Sequence, residues 1–138
     1  MINSKGYRGY IGSREYMGQR TPQHVQNLVI RDYCKRLGRP YLLSATEYAM
    51  DNCYVMFEEV LGEIGKIEGI VLYSIFMLPN DRNRRLEAYN RVLSAGASVH
   101  GAVEAISVTN GQDVNRVEDI LRINSLLDRS DGKLEALV

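Results

Sequence analysis

The sequence has no tryptophan, two phenylalanines, two cysteines, three prolines and no net charge, with 17 lysines and arginines against 17 aspartates and glutamates. Each shortage removes a class of protein. No apolar run reaches the roughly 18 residues that a membrane-spanning helix needs, so no membrane partner is expected. The start, Met1-Ile2-Asn3-Ser4-Lys5-Gly6, has no apolar stretch of the kind found in a secretory signal. A cytoplasmic protein with reduced thiols is the expectation. Cys34 and Cys53 form no C-x-x-C pair, and only His24 and His100 are present to join them. Neither a disulfide framework nor a metal site is expected. The glycines match neither G-x-G-x-x-G nor a P-loop lysine motif, so no cofactor is expected. A neutral chain is also a poor candidate for broad nucleic-acid binding.

What remains is an ordinary globular composition, 45% hydrophobic and 25% charged. At 138 residues it reads as one α/β domain over 1–138, large enough for a real core. Short apolar runs alternate with helical spacing. The strands are Tyr7 to Ser13, Tyr41 to Ser44, Gly69 to Phe76 and Ser98 to Glu104. The third, Gly-Ile-Val-Leu-Tyr-Ser-Ile-Phe, is continuously apolar, as in a strand buried on both faces of a parallel sheet. Helices are expected from Thr21-Pro22 to Gly38, from Asp51 or Asn52 to Gly65, from Pro79-Asn80-Asp81 to Gly96, and from Asp113 to about Leu127. A polar, frayed tail should follow from about 128. The order β-α-β-α-β-α-β-α implies βαβ crossovers and a three-layer sandwich. Its sheet should have four to five mainly parallel strands.

Ligands of such sheets bind beyond the carboxyl ends of the strands, which selects four loops. The first holds Ser13, Arg14 and Arg20 just before a helix start. Free N–H groups and two arginines there suit a phosphate or carboxylate. The second, Ser44-Ala45-Thr46-Glu47-Tyr48-Ala49-Met50, groups hydroxyls, a carboxylate and a phenol. Glu47 reads either as a general acid/base or as a helix cap or salt-bridge partner. Ser74 opens the third loop, Ser74 to Asp81, Glu104 ends the fourth strand and opens the fourth loop, and both are candidate ligand contacts. His24 reads as an exposed first-turn residue, His100 and Cys34 as buried ones, and Cys53 as a buried structural cysteine or, as the alternative, an activated thiol at a helix start. The nine tyrosines serve as the core's aromatics or line a cleft.

Two resemblances follow. The order of elements over roughly residues 7 to 125 resembles the catalytic domain of serine recombinases, the resolvase–invertase group. Gly9-Tyr10-Ile11-Gly12-Ser13-Arg14 stands where that family has its Y-x-R-V-S strand, and Gln26 where it often has glutamine. The catalytic residues do not match. The family's strand arginine falls at Gly12 and its nucleophilic serine at Arg14, with Ser13 one place early. Its D-R-L-x-R motif falls at Phe76, Met77 and Asn80, and its second-helix arginine near Cys53. The resemblance implies a resolvase-like fold without recombinase activity.

Longer strings are similar to the sporadic carbohydrate cluster proteins, which are encoded among bacterial genes for surface polysaccharide. These are Gly9 to Arg14, Val25 to Cys34, Tyr41 to Met50 and Gly69 to Ser74. That resemblance implies a pathway and no particular reaction.

The expected function is a protein of bacterial surface-carbohydrate biosynthesis. It would bind a phosphorylated or nucleotide-linked sugar through Ser13, Arg14, Arg20, Ser44, Thr46, Tyr48, Ser74 and Glu104, with Glu47 as the acid/base if a reaction occurs. The alternatives are a non-catalytic dimeric scaffold and a nucleic-acid-binding relic of a recombinase fold. A homodimer is plausible under each. Charge supports one local anion site: residues 1–40 carry eight basic and two acidic side chains, and residues 41–80 carry one and six.

Overall fold

The computed structural model describes residues 5–16 and 18–137, the last ten by backbone alone. Residues 1–4, where no signal segment is expected, lie outside the described ones. The elements run β1 (Tyr7–Gly12), α1 (Gln23–Leu37), β2 (Tyr41–Glu47), α2 (Val55–Gly62), β3 (Gly69–Leu72), α3 (Arg82–Ser94), β4 (Ser98–Gly101), β5 (Ile106–Val108) and α4 (Gly111–Leu137). They form an α/β fold around one five-stranded sheet of order β2-β1-β3-β4-β5. All neighbours are parallel except β4 and β5.

Alternation along β1 divides the molecule. Tyr7 and Ile11 face α1, packing with Ile30, Tyr33 and Cys34. Tyr10 faces the opposite side, where Phe57, Val60, Tyr89, Val92 and Val117 from the other three helices make the larger core. The layers are thus α1, the sheet, and α2 with α3 and α4. Burial of these side chains, at roughly 1.5–3 kcal/mol for each large apolar one, is what holds the layers together.

Several elements differ from the sequence expectation. β3 stops at Leu72, and its apolar run continues through a 3-10 turn, Ile75–Met77. Ile75 and Met77 are as buried as strand residues because the turn folds back onto the core. Composition registers that burial but not the change of backbone. β2 is three residues longer than expected and takes in Ala45, Thr46 and Glu47. A register shift opposite Arg8 and Gly9 leaves Leu43 unpaired and exposed, and the Arg8 guanidinium bonds the Leu43 carbonyl. A bulge of this kind also protects an edge strand from pairing with a second chain.

The fourth strand ends at Gly101. A tight turn with Ala105 at φ 52° then returns the chain as antiparallel β5, too short to show in the pattern. α4 continues past residue 128 to Leu137, where a frayed tail was expected.

Candidate functional site

The sheet order reverses between β1 and β3: β2 lies to one side of β1, and β3, β4 and β5 to the other. Beyond the carboxyl ends of β1 and β3 lies a cleft of about 1680 Å³. This is the place such sheets leave open, because successive crossovers diverge from it. One wall comes from the loops after β1 and β2. The other comes from the segment after β3, the start of α3 and the middle of α4.

The β1 loop is pinned at its root. Gly12 N–H donates to Gln26 Oε1 (3.1 Å), while Gln26 Nε2 donates to the carbonyls of Gly12 (2.6 Å) and Thr21 (2.9 Å). Gln26 is fully buried, so it holds the strand end and the α1 entry together. The Thr21-Pro22 start of α1 has no side-chain cap, and Thr21 is held instead through its carbonyl, which accepts from Gln26 Nε2. Gly12 is needed for closeness: a Cβ there would lie 2.8 Å from Tyr16 Oη.

Ser13, Arg14 and Arg20 all line the cleft. The Arg14 Cζ lies 4.9 Å from the Tyr54 ring centre and 5.9 Å from that of Tyr16. Arg84 approaches the same Tyr54 ring at 5.0 Å. Arg14 has no carboxylate partner among the described residues, and its Nε is buried without a hydrogen bond, as is Tyr16 Oη. Burial raises the Tyr16 phenol above the usual tyrosine range, against the pull of Arg14, so it stays a neutral donor.

Across the cleft, Arg85 is fully engaged. Its Nε and Nη2 each donate to Glu118 at 2.8 Å, and its Nη1 donates to the carbonyls of Pro79 (3.0 Å) and Asn80 (2.8 Å). Tyr89 Oη adds a third bond to Glu118 at 2.8 Å. Burial alone would raise the Glu118 carboxyl, but Arg85 and Tyr89 outweigh it and keep it ionised. This cluster fastens α4 to α3 and shapes the wall. Arg82, exposed and 3.7 Å from the same carboxylate, is a surplus cation at its edge.

Most of the other expected contacts serve the fold. Glu47 is 2% exposed and does not line the cleft. Its Oε1 accepts from Tyr10 Oη (2.7 Å) and Phe57 N–H (3.1 Å), and its Oε2 from the N–H groups of Met56 (3.0 Å) and Tyr48 (3.1 Å). It is the cap of α2, supplied from β2 rather than by Asp51 or Asn52. Burial would raise its carboxyl, but the bonds from Met56, Tyr10 and Phe57 together hold it below the usual carboxylate range. No lone pair or proton is left for a substrate, and Cys53 Sγ stands 3.8 Å from Oε2.

Ser74 Oγ donates to Glu104 Oε2 (2.7 Å) and Ile75 N–H to Glu104 Oε1 (2.8 Å), latching the exits of β3 and β4. Ser44 Oγ pairs with Tyr41 Oη at 2.7 Å. Thr46 and Tyr48 are exposed, and neither lines the cleft. His100 is buried between Tyr33 Oη (2.8 Å to Nδ1) and Ser98 Oγ (2.7 Å to Nε2). Burial pushes its pKa down to about 4, and pushes the Cys34 thiol up to about 11.

Sequence reasoning missed Arg82 and Arg122 as cleft residues, and it named Tyr16 and Tyr54 only among nine tyrosines that serve the core or line a cleft. The run Asp81-Arg82-Asn83-Arg84-Arg85 was the available signal. It read only as a helix opening, which it also is, with Asp81 accepting from Asn83 N–H at 2.8 Å.

The fold, a five-stranded and mostly parallel sheet with the cleft at its reversal, is resolvase-like, as its likeness to two solved recombinase domains shows. Among solved structures, the chain is similar to the N-terminal catalytic domain of TP901-1 integrase. The TM-score is 0.62 at 12% identity, over 89% of this chain and 97% of that one. It is also similar to a resolvase family site-specific recombinase from Streptococcus pneumoniae, with a TM-score of 0.59 at 9% identity, over 94% and 97%. At these identities the likeness concerns the fold alone. No family model matches the chain. No curated protein matches it either. Among the described residues no helix is long and apolar enough to cross a membrane.

Proposed function

We propose that this chain binds a phosphorylated or nucleotide-linked sugar in the cleft beyond β1 and β3, as a cytoplasmic protein of bacterial surface-carbohydrate biosynthesis. The carrying observation is Arg14. Most of the molecule's half-buried arginines have a carboxylate, as Arg8 has Glu63 and Arg85 has Glu118. Arg14 lines a large cleft with none, over the rings of Tyr16 and Tyr54, its Nε buried without a hydrogen bond. A guanidinium held in this way offers paired donors to a phosphate, the geometry it matches best.

Ser13 and Arg20 are the companion contacts from the expected set. Ser44, Thr46, Tyr48, Ser74, Glu104 and Glu47 are not carried into the proposal, because the fold employs them or directs them elsewhere. The carbohydrate assignment is supported by the string resemblance at Gly9 to Arg14 and Tyr41 to Met50.

The test is calorimetry with a panel of sugar phosphates and nucleotide-linked sugars. At least one should bind, and Arg14→Gln should weaken it tenfold or more while melting like the parent. No binding by any member removes the proposal. Salt-sensitive binding of duplex DNA in the same buffer would favour the relic reading instead.

A second reading, self-association, has its own observation. Ile123 and Leu127, one turn apart on α4, are each 57% exposed and lie outside the cleft lining. A homodimer through that stripe would cover them. Sedimentation of the parent as a dimer and of Leu127→Gln as a monomer supports it, and a monomeric parent rules it out.

A further inference from the structure

The two walls of the cleft differ in chemistry, and the difference identifies the ligand more closely. The wall from the β1 and β2 loops carries Arg14, without a carboxylate partner among the described residues, with Arg20, Ser13, Tyr16 and Tyr54, and the carboxylates Glu15 and Asp51 lie on the same side. The wall from the β3 exit and α4 carries, beside the Arg85–Glu118 pair, the apolar side chains Phe76, Leu121 and Leu126. Phe76 and Leu121 are half-buried against the core, while Leu126 is 49% exposed. Among them stand Asn80, Asn124 and Ser125, neutral groups that both donate and accept. Arg122 lies on the same wall with no ion pair among the described residues.

A sugar phosphate offers only a small C–H face to an apolar wall and covers little of a cleft this large. A long isoprenoid chain needs a dry channel, and here amides and a hydroxyl interrupt the apolar side chains. A nucleobase needs an apolar or aromatic face to lie on, a guanidinium plane to cover it, and amide or hydroxyl groups for its edge. The α4 wall has all three. The cleft volume, about 1680 Å³, exceeds the roughly 300–1,000 Å³ of a pocket for one small ligand, leaving space for a nucleoside beside a sugar.

We propose that the cleft takes a nucleoside diphosphate sugar, its phosphates toward Arg14 and its base on the Phe76, Leu121 and Leu126 wall. This rests on the phosphate reading above and specifies which class of phosphate is bound. The base contributes through stacking and edge bonds, so binding should depend on α4 residues that a sugar phosphate never touches.

The experiment is calorimetry on the full chain with UDP-glucose, GDP-mannose, ADP-glucose and dTDP-glucose, with glucose 1-phosphate and farnesyl diphosphate as comparison ligands. At least one nucleotide sugar should bind ten times more tightly than glucose 1-phosphate. Leu126→Gln and Asn124→Ala, both on an exposed part of α4, should each weaken that ligand at least fivefold and leave glucose 1-phosphate within twofold. Phe76→Ala should do the same, and its melting curve shows whether the core contact of Phe76 is kept. If glucose 1-phosphate binds as well as every nucleotide sugar, the base wall is refuted and the phosphate site stands. Farnesyl diphosphate binding most tightly would refute it in favour of a lipid-linked ligand. If no phosphate binds and Arg14→Gln changes nothing, both readings fail.

Discussion

Replacing Glu47 by glutamine is the sharpest probe of the fold's use of its buried charge. Four N–H and O–H donors, with the Cys53 thiol as a longer fifth, converge on two carboxylate oxygens in a site that is 2% exposed. Glutamine has one acceptor oxygen, so its amide NH₂ must face one pair of donors. Facing the Tyr48 and Met56 N–H groups would orphan both. Facing Tyr10 and Phe57 is cheaper, because the Tyr10 hydroxyl can turn and accept, leaving only the Phe57 N–H without a partner.

An unsatisfied buried donor costs about 1–3 kcal/mol, and losing the charge weakens the bonds that remain. The carboxylate also opposes the helix dipole at the start of α2, worth about 0.3–1 kcal/mol. The expected loss is roughly 2–4 kcal/mol, a large share of the ~5–15 kcal/mol that holds a domain of this size folded. At roughly 3–4 °C per kcal/mol for this length, the melting temperature should fall by about 6–15 °C at pH 7.

The loss should also depend on pH. The folded carboxyl is held below its ordinary value, so its contribution is complete above the usual carboxylate range and disappears as pH falls through the folded value. The gap between parent and variant should narrow in acid. The measurement is thermal unfolding by circular dichroism from pH 7 to 3, with binding measured at a temperature where the variant is folded. An unshifted melting temperature together with lost binding would refute the capping argument and make Glu47 a residue of the ligand site.

Three further outcomes follow from the geometry. Glu118→Gln leaves the half-buried Arg85 without its carboxylate and should cost about 2–3 kcal/mol. Hydrogen exchange should then quicken in α4, and unchanged protection there would show that α4 is held by apolar contacts alone. The His100 pKa, about 4 against an ordinary 6.5, means that the unfolded chain takes up a proton before the folded one does. Stability from this residue is present above pH 6.5 and lost between 6.5 and 4, up to about 3 kcal/mol. Urea midpoints should show this slope in the parent and a shallower one in His100→Gln; equal slopes would contradict it. Gly12→Ala should displace Tyr16 and unsettle the β1 loop, weakening phosphate-ligand binding severalfold with a smaller change in melting temperature. An unaltered affinity would mean that Tyr16 takes no part in the site.

The alternation of apolar runs and helical spacing was enough to reach the α/β class, the order of the main elements and the parallel character of the sheet. Those features follow from local periodicity, which every residue carries with it. The same spacing placed Ser13, Arg14 and Arg20 at a strand end, and the strand-end rule singled them out before any packing was known.

Other features depend on partners distant in sequence. Glu47 lies in a loop if β2 ends at Ser44. It becomes a buried cap only because β2 runs on and brings its carboxylate under the start of α2, eight or more residues later. The apolar run after Gly69 looks like one strand because burial, not backbone shape, sets its composition. Strand β5 is three residues long and exists through its pairing with β4. The second wall of the cleft is an α4 surface some 40 residues beyond the β3 segment it faces, brought there by the Arg85–Glu118 contact and the packing of Val117. A sequence specifies which side chains can pair; only the closed fold settles which arginines find a carboxylate, and that left Arg14 unpaired in the cleft.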